Sequence, residues 1–233
     1  MTNELLWLVL MIVTFGGIML AYRYFGRTGL YIWTAIAVII ANMQVLKTIK
    51  LFGFITAEGN IIYGTTFLAT DILSEKYGKK TSFKAVRLGF FVLIVTMALM
   101  QLTLQFIPDV SDTMHPALLQ IFGFFPRIVL ASVTAYLISQ HLDVYLFHKI
   151  SGWTKGKHLW LRNNAATMIS QLVDNVVFTF IAFVGLFGLF GWQQLFGWPI
   201  VWSIFWTSYA MKWVVAVCDT PFVYWAKKIR PSE

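Results

Sequence analysis

Cysteine is almost absent: Cys218 stands alone in 233 residues. Neither a disulfide nor a thiolate metal site can form within the chain, and a small apolar filler is the default role for a lone thiol. Charge is scarce as well, at 12% of residues, and the apolar residues fall in long runs rather than at the spacing of a water-soluble core, which excludes a soluble globular domain. His115, His141, His148 and His158 show no spacing suited to zinc, so no metal is expected. No Ser-His-Asp arrangement, HExxH pair, paired catalytic Asp motif or phosphate-binding glycine loop occurs. Hydrolase and ATPase readings therefore lack their chemistry, and neither an enzyme nor a cofactor is expected. Met1 to Leu6 holds no basic residue and carries Glu4, so the positive region of a signal peptide is missing and the first apolar run reads as a retained helix.

What is present is hydrocarbon. Apolar residues make up 58% of the chain, in seven runs of about 20 residues each, the length that a bilayer requires. They predict an all-α polytopic membrane protein, one integral membrane domain over residues 1–233, with seven transmembrane helices near 5–22, 29–50, 60–77, 84–107, 117–146, 162–188 and 199–226. The 17% aromatic content, with ten Trp, fits interfacial belts.

The net charge of +8 is not a nucleic-acid footprint once the basic residues are placed. Arg23 and Arg27 follow span one; Lys76, Lys79, Lys80, Lys84 and Arg87 surround the turn after span three. Lys149, Lys155, Lys157 and Arg162 lie around the loop after span five, and Lys227, Lys228 and Arg230 follow span seven. All fall on one side of a seven-span chain. The positive-inside rule makes that side the cytoplasm, with the N-terminus outside and the C-terminus inside. The loop after span four carries Asp109 and Asp112 instead.

Four basic residues remain. Lys47 and Lys50 sit toward the outer end of span two, where snorkelling accounts for them. Arg127 and Lys212 lie about 15 to 20 Å deep, too far for easy escape to the headgroups. An internal ion pair, for instance with Asp174, would explain them structurally; a translocation route or ligand site is the preferred reading.

The sixth span carries Asn163, Asn164, Thr167, Ser170, Gln171, Asp174 and Asn175 within an arc of roughly 140° at 100° per residue. Asp174 lies about 18 Å along the helix from Arg162, where burying an ionised carboxylate costs at least about 2.5 kcal/mol. A polar partner is required. Asp71, Asp143 and Asp219 occupy the inner halves of their spans; each either anchors a helix end to a basic partner such as Lys76, Lys149 or Lys227, or serves a site. Asp71 leans to the site, because Thr66, Thr70 and Ser74 recur beside it every four residues. On span five, Ser132, Tyr136, Ser139, Gln140 and Asp143 share a face. Pro126 is expected to break the helix and turn Arg127 toward that face.

The segments Phe67-Leu-Ala-Thr70-Asp71-Ile-Leu-Ser74-Glu-Lys-Tyr-Gly78, Arg127 with Ala135-Tyr136 and Gln140-His-Leu-Asp143, and Leu161-Arg-Asn-Asn164 leading to Ser170-Gln171-Leu-Val-Asp174 resemble the queuosine precursor transporter family, also described as vitamin uptake transporters. The resemblance runs from about Asn42 to Lys228. It implies uptake of 7-deazaguanine bases (preQ0, preQ1 or queuine), which salvage organisms convert to a tRNA nucleoside. It also implies a bundle similar to the membrane-embedded substrate-binding subunits of energy-coupling-factor importers. Some relatives have six spans and lack the helix at 5–22, which bears on any inference about partners from helix numbering.

A 7-deazaguanine offers a ring N–H and an amino group that a carboxylate accepts in bidentate fashion, and a carbonyl that wants a donor. Asp174 or Asp71 would supply the first, and Arg127, Lys212, Asn164, Gln171 or Gln140 the second. Tyr136, Phe67 and Phe178 are candidate stacking partners, with Asp143, Asp219 and Thr70 as secondary contacts. The expected partners are a purine-like small molecule and the bilayer of the cytoplasmic membrane, with a homodimer or an importer module left open. The competing function is a substrate-binding subunit driven by a separate ATPase, docking through small-residue faces such as Gly17 and Ala21.

Overall fold

The computed structural model describes residues 2–123, 125–229 and 231; Arg230 lies outside them. The chain runs as helix α1 (Asn3–Gln44), an antiparallel hairpin β1 (Thr48–Leu51) and β2 (Phe54–Ala57), then α2 (Asn60–Tyr77), α3 (Lys79–Thr103), α4 (His115–Phe122), α5 (Phe125–Trp153), α6 (Leu159–Thr179) and α7 (Trp198–Lys228). A π turn (Phe180–Val184) and a 3-10 turn (Leu186–Gly191) join α6 to α7. Among the described residues, five helical stretches are long and apolar enough to cross a bilayer: Asn3–Gln44, Lys79–Thr103, His115–Trp153, Leu159–Val184 and Trp198–Lys228.

Helix α1 is not one rod. Gly26 sits at φ 53°, ψ −138°, a backbone state essentially closed to residues with a Cβ. The chain doubles back there. A Cβ on Gly17 would meet the Trp33 ring at 2.6 Å, and one on Gly29 would meet the Ala21 carbonyl oxygen at 2.0 Å. In a straight helix Gly17 and Trp33 would be about 24 Å apart. The small-residue pair Gly17 and Ala21 thus lies against the second arm of this hairpin, each residue half-buried.

The expectation that span two reaches residue 50 needs correction. The helix stops at Gln44, and residues 48–57 form the β-hairpin around Phe52 and Gly53, both at positive φ (49° and 86°). That is the geometry of a tight two-residue hairpin turn. Lys47 and Lys50 therefore do not snorkel from a helix; Lys50 is a strand residue whose carbonyl accepts from Asn3 Nδ2 at 2.9 Å, while Glu4 accepts from the Phe52 amide at 3.1 Å. Beside this end, the loop after α3 holds its own acids: the Ser111 hydroxyl and amide bond Asp109 and keep its carboxyl below the ordinary range.

Helix α2 is the centre of the bundle. Every residue from Gly64 to Ser74 is buried, and α2 packs on α1, α3, α5 and α7. It is too polar to rank with the five apolar stretches because it carries Thr65, Thr66, Thr70, Asp71 and Ser74. Three of those threonines bond backward to carbonyls on their own helix (Ile62, Tyr63 and Phe67) at 2.6 to 2.9 Å. Such bonds satisfy a hydroxyl where no water is available. Its companions turn large apolar side chains outward, among them Ile12, Val13, Phe91, Leu99, Ile169, Trp206 and Val217, which suits a surface solvated by lipid.

Cross-helix pairs fix the registers. Helix α6 pairs Arg162 with Glu75 and Asp174 with Tyr63 on α2, Ser170 with Asp143 and Asp174 with Ser139 on α5, and Asn163 with Asp219 and Asp174 with Lys212 on α7. Numbers rise on α6 as they fall on the others, so α6 runs antiparallel to α2, α5 and α7.

Candidate functional site

Those four helices build two polar layers. Toward the β-hairpin, Lys212 Nζ lies 2.6 Å from Asp174 Oδ2 and 3.0 Å from Asn175 Oδ1. Tyr63 and Ser139 donate their hydroxyls to Asp174 Oδ1 at 2.5 and 3.0 Å. The Lys212 ammonium also stands 5.2 Å from the centre of the Tyr63 ring, and Asn175 Nδ2 donates to the Phe205 carbonyl at 2.7 Å. Each charge is matched, as a buried ion pair in a low-dielectric interior requires.

Beside this pair opens a cavity with about 640 Å³ of unoccupied space, its mouth included. Its walls include Asn42, Glu58, Asn60, Ser132, Phe178, Phe183 and Ser208, with Tyr63, Asp174, Asn175 and Lys212 at its base. Asn42 Oδ1 is buried with no hydrogen-bond partner; its Nδ2 is taken by the Val38 carbonyl at 2.7 Å. The chamber thus pairs flat aromatic walls with a few polar atoms that set orientation, a common plan for small-molecule sites.

The second layer lies about 6 to 12 Å further from the hairpin, from the helical rise between paired residues. It holds Asp71 on α2, Asp143 on α5, Asp219 on α7 and Asn163, Thr167 and Ser170 on α6. Ser170 donates to Asp143 at 2.8 Å and Asn163 to Asp219 at 3.1 Å. Neither oxygen of Asp71 meets a donor at full hydrogen-bond geometry, although Thr167 and Asp143 face it. Between the layers, Gln140 donates to Thr66 Oγ1 at 2.8 Å and accepts from Thr70 at 3.2 Å. Gln171 is buried with both amide atoms unpartnered. Beyond the second layer Arg162 pairs with Glu75, which also holds Lys227 at 2.6 Å.

The anticipated residues therefore divide. Asp174, Lys212 and Phe178 line the cavity. Tyr136 and Phe67 are buried behind it, with ring centres 6.2 and 5.6 Å from that of Tyr63. Thr70, Gln140 and Gln171 lie between the layers, and Asp71, Asp143 and Asp219 form the second layer. Asn164 faces α7 at the basic end, donating to Thr220 Oγ1 at 2.7 Å.

Arg127 departs from expectation. Helix α4 ends at Phe122 and α5 starts at Phe125, and the guanidinium does not line the cavity. It donates to the Gln193 carbonyl at 2.9 Å and stacks 5.6 Å from the Trp192 ring. The reason is local: Gly185, at φ 75° after the π turn, lets the α6–α7 connection pass so close that a Cβ there would stand 3.0 Å from Arg127 Nη2. Tyr63, Asn42 and Glu58 went unanticipated. Tyr63 had a usable signal, four residues before Phe67 and eight before Asp71 on the polar face of α2.

Residues 57–226 match the family described as "Putative vitamin uptake transporter". The chain is 41% identical over its whole length to the "Probable queuosine precursor transporter" of Bacillus subtilis (strain 168), covering 98% of that protein. It is 28% identical over 69% of its length to the "Queuosine precursor transporter" of Escherichia coli (strain K12), covering 70% of that protein. No solved structure gives a significant match. The family model covers more than half of the chain and the Bacillus subtilis relative its whole length: this chain belongs to that uptake transporter family and is a multi-pass membrane transporter, not an enzyme.

Proposed function

We propose that the protein imports queuosine precursors, 7-deazaguanine bases, across the cytoplasmic membrane through the Asp174–Lys212 cavity. The observation that carries this reading is a cavity with aromatic side chains in its wall, open directly beside a buried ion pair. The free Asn42 oxygen and the Asp174 carboxylate offer acceptors to a ring N–H and amino group; Lys212 and Ser208 offer donors to a carbonyl. Phe178 and Phe183 flank the space for a flat heterocycle. The names of both relatives support the substrate class.

In this reading the α1 hairpin crosses the bilayer twice and α2 once, making seven crossings. The basic end, with Lys76, Lys79, Lys155 and Lys227, faces the cytoplasm, the N-terminus lies outside, and the cavity opens outward beside the β-hairpin. The purified protein in liposomes should take up at least one of the nitrile, aminomethyl and mature bases without any ATPase. Transport only after addition of an energising module would favour the substrate-binding-subunit alternative, and no binding of any of the three bases would end the substrate assignment.

A further inference from the structure

The second layer has a charge problem that the cavity does not. Asp71, Asp143 and Asp219 are each 1% exposed or less, sit on three different helices and act on one another electrostatically. Facing them from α6 are Asn163, Thr167, Ser170 and Arg162; on α7 Cys218 adjoins Asp219. Below lie Glu75, Lys227, His148 and Lys79. The nearest cation is Arg162, and Glu75 already claims it. Three ionised carboxylates there would be buried and uncompensated, which costs far more than any hydrogen bond in the layer returns.

A second observation points the same way. Thr167 is fully buried, and its hydroxyl faces both Asp71 and Asp143 without reaching full hydrogen-bond geometry to either. A hydroxyl placed between two carboxyl groups can donate to an ionised one or accept from a protonated one, so it serves either state. Among the described residues, no three of these groups gather closely enough to hold a metal ion. A proton needs only one carboxyl oxygen and removes the charge that the layer leaves uncompensated.

We propose that Asp71, Asp143 and Asp219 form a shared proton-binding site whose loading and release accompany occupancy of the Asp174–Lys212 cavity. The link is Gln171, one turn from Thr167 and nearly one from Asp174 on the same helix, with both amide atoms free, together with the Gln140 bridge from Thr66 to Thr70. A ligand that draws on Asp174 re-aims these amides and changes the field at the trio. The carboxyls then pass protons between the cavity and the basic end, and no covalent bond other than O–H is made or broken.

The proposal deepens the transport reading and rests on it only in its second test. The first needs no substrate: infrared spectra of the purified full chain near neutral pH should show a protonated-carboxyl band that is diminished in Asp71→Asn and in Asp143→Asn. A band absent from the wild type, or unchanged in both variants, overturns the proposal. In the second, liposomes carrying the protein with an alkaline lumen are given the aminomethyl, nitrile or mature base. With one proton per neutral base, a gradient of one pH unit sustains an accumulation of about tenfold. Ionophore should abolish that accumulation, and Asp71→Asn and Asp143→Asn should equilibrate the base without concentrating it. Wild-type uptake indifferent to the gradient, or full accumulation by both variants, overturns the coupling. A protein that transports no base yet shows the carboxyl band would refute the substrate reading and keep the proton site.

Discussion

Lys212 on α7 and Asp174 on α6 face one another at 2.6 Å, and Asn175 takes a second hydrogen from the same ammonium at 3.0 Å. The pair is both a wall of the cavity and a clamp between two helices. Removing one partner leaves the other charge buried and unpaired, at a cost of about 3–5 kcal/mol. Asp174→Asn and Lys212→Met should each lower thermal stability of the purified protein strongly, and the double variant should lose clearly less than the two combined. Strictly additive losses would mean that the two groups are not energetically paired. Ligand binding should vanish in all three.

Tyr63 bears on ligand affinity by a different route. Its hydroxyl donates to Asp174 Oδ1 at 2.5 Å while its ring lies under Lys212. Tyr63→Phe keeps the ring and deletes only the donor, a hydrogen bond to a charged group worth about 1.5–3 kcal/mol. Binding of a 7-deazaguanine, measured by calorimetry, should weaken by about tenfold or more, with little change in the fold. Undiminished affinity would remove Tyr63 from the site.

The α1 turn makes a structural prediction. Gly26→Ala places a Cβ at φ 53°, ψ −138°, with strain of about 1–3 kcal/mol. Gly152, in the last turn of α5 with nothing within 4 Å of where an added methyl would sit, is the control, since Ala there gains up to about 0.5 kcal/mol of helix preference. Thermal unfolding should separate the two variants in opposite directions. Equal melting temperatures would contradict the hairpin.

Legibility from sequence followed the strength of the physical demand. A bilayer requires length and sustained hydropathy, so the apolar rods could be read from composition. It also penalises buried polar groups, so the stripe from Asn163 to Asn175 on α6 and the acids on α2, α5 and α7 stood out. Residues 48–57 did not: Ile49, Leu51, Phe52 and Phe54 are as apolar as a helix end, and only the turn at Phe52-Gly53 distinguishes a hairpin. Tyr63 shared the polar face of α2 with Asp71, but that signal competed with the interfacial belt, which an aromatic residue near a span end equally suits. Contacts such as Trp33 Nε1 to Thr65 Oγ1, 2.8 Å apart across α1 and α2, depend on how helices rotate against each other, which no single-helix pattern specifies.

Arg127 illustrates that last point and gives a prediction opposite to the one an intramembrane arginine invites. From sequence, an ideal helix points Arg127 away from the polar face of span five, and a break at Pro126 is what is expected to turn it toward that face. The π turn at Phe180–Val184 and the reversal at Gly185 instead bring Trp192 and Gln193 over it. Its bond to the Gln193 carbonyl ties α5 to the α6–α7 connection, and a hydrogen bond to a charged donor contributes about 1.5–3 kcal/mol. Arg127→Met should therefore lower the melting temperature while leaving ligand affinity within about threefold of wild type, since about 3 kcal/mol of binding energy, worth more than a hundredfold, would be lost only if the guanidinium touched the ligand. A loss of affinity on that scale, with stability unchanged, would place Arg127 in the site after all.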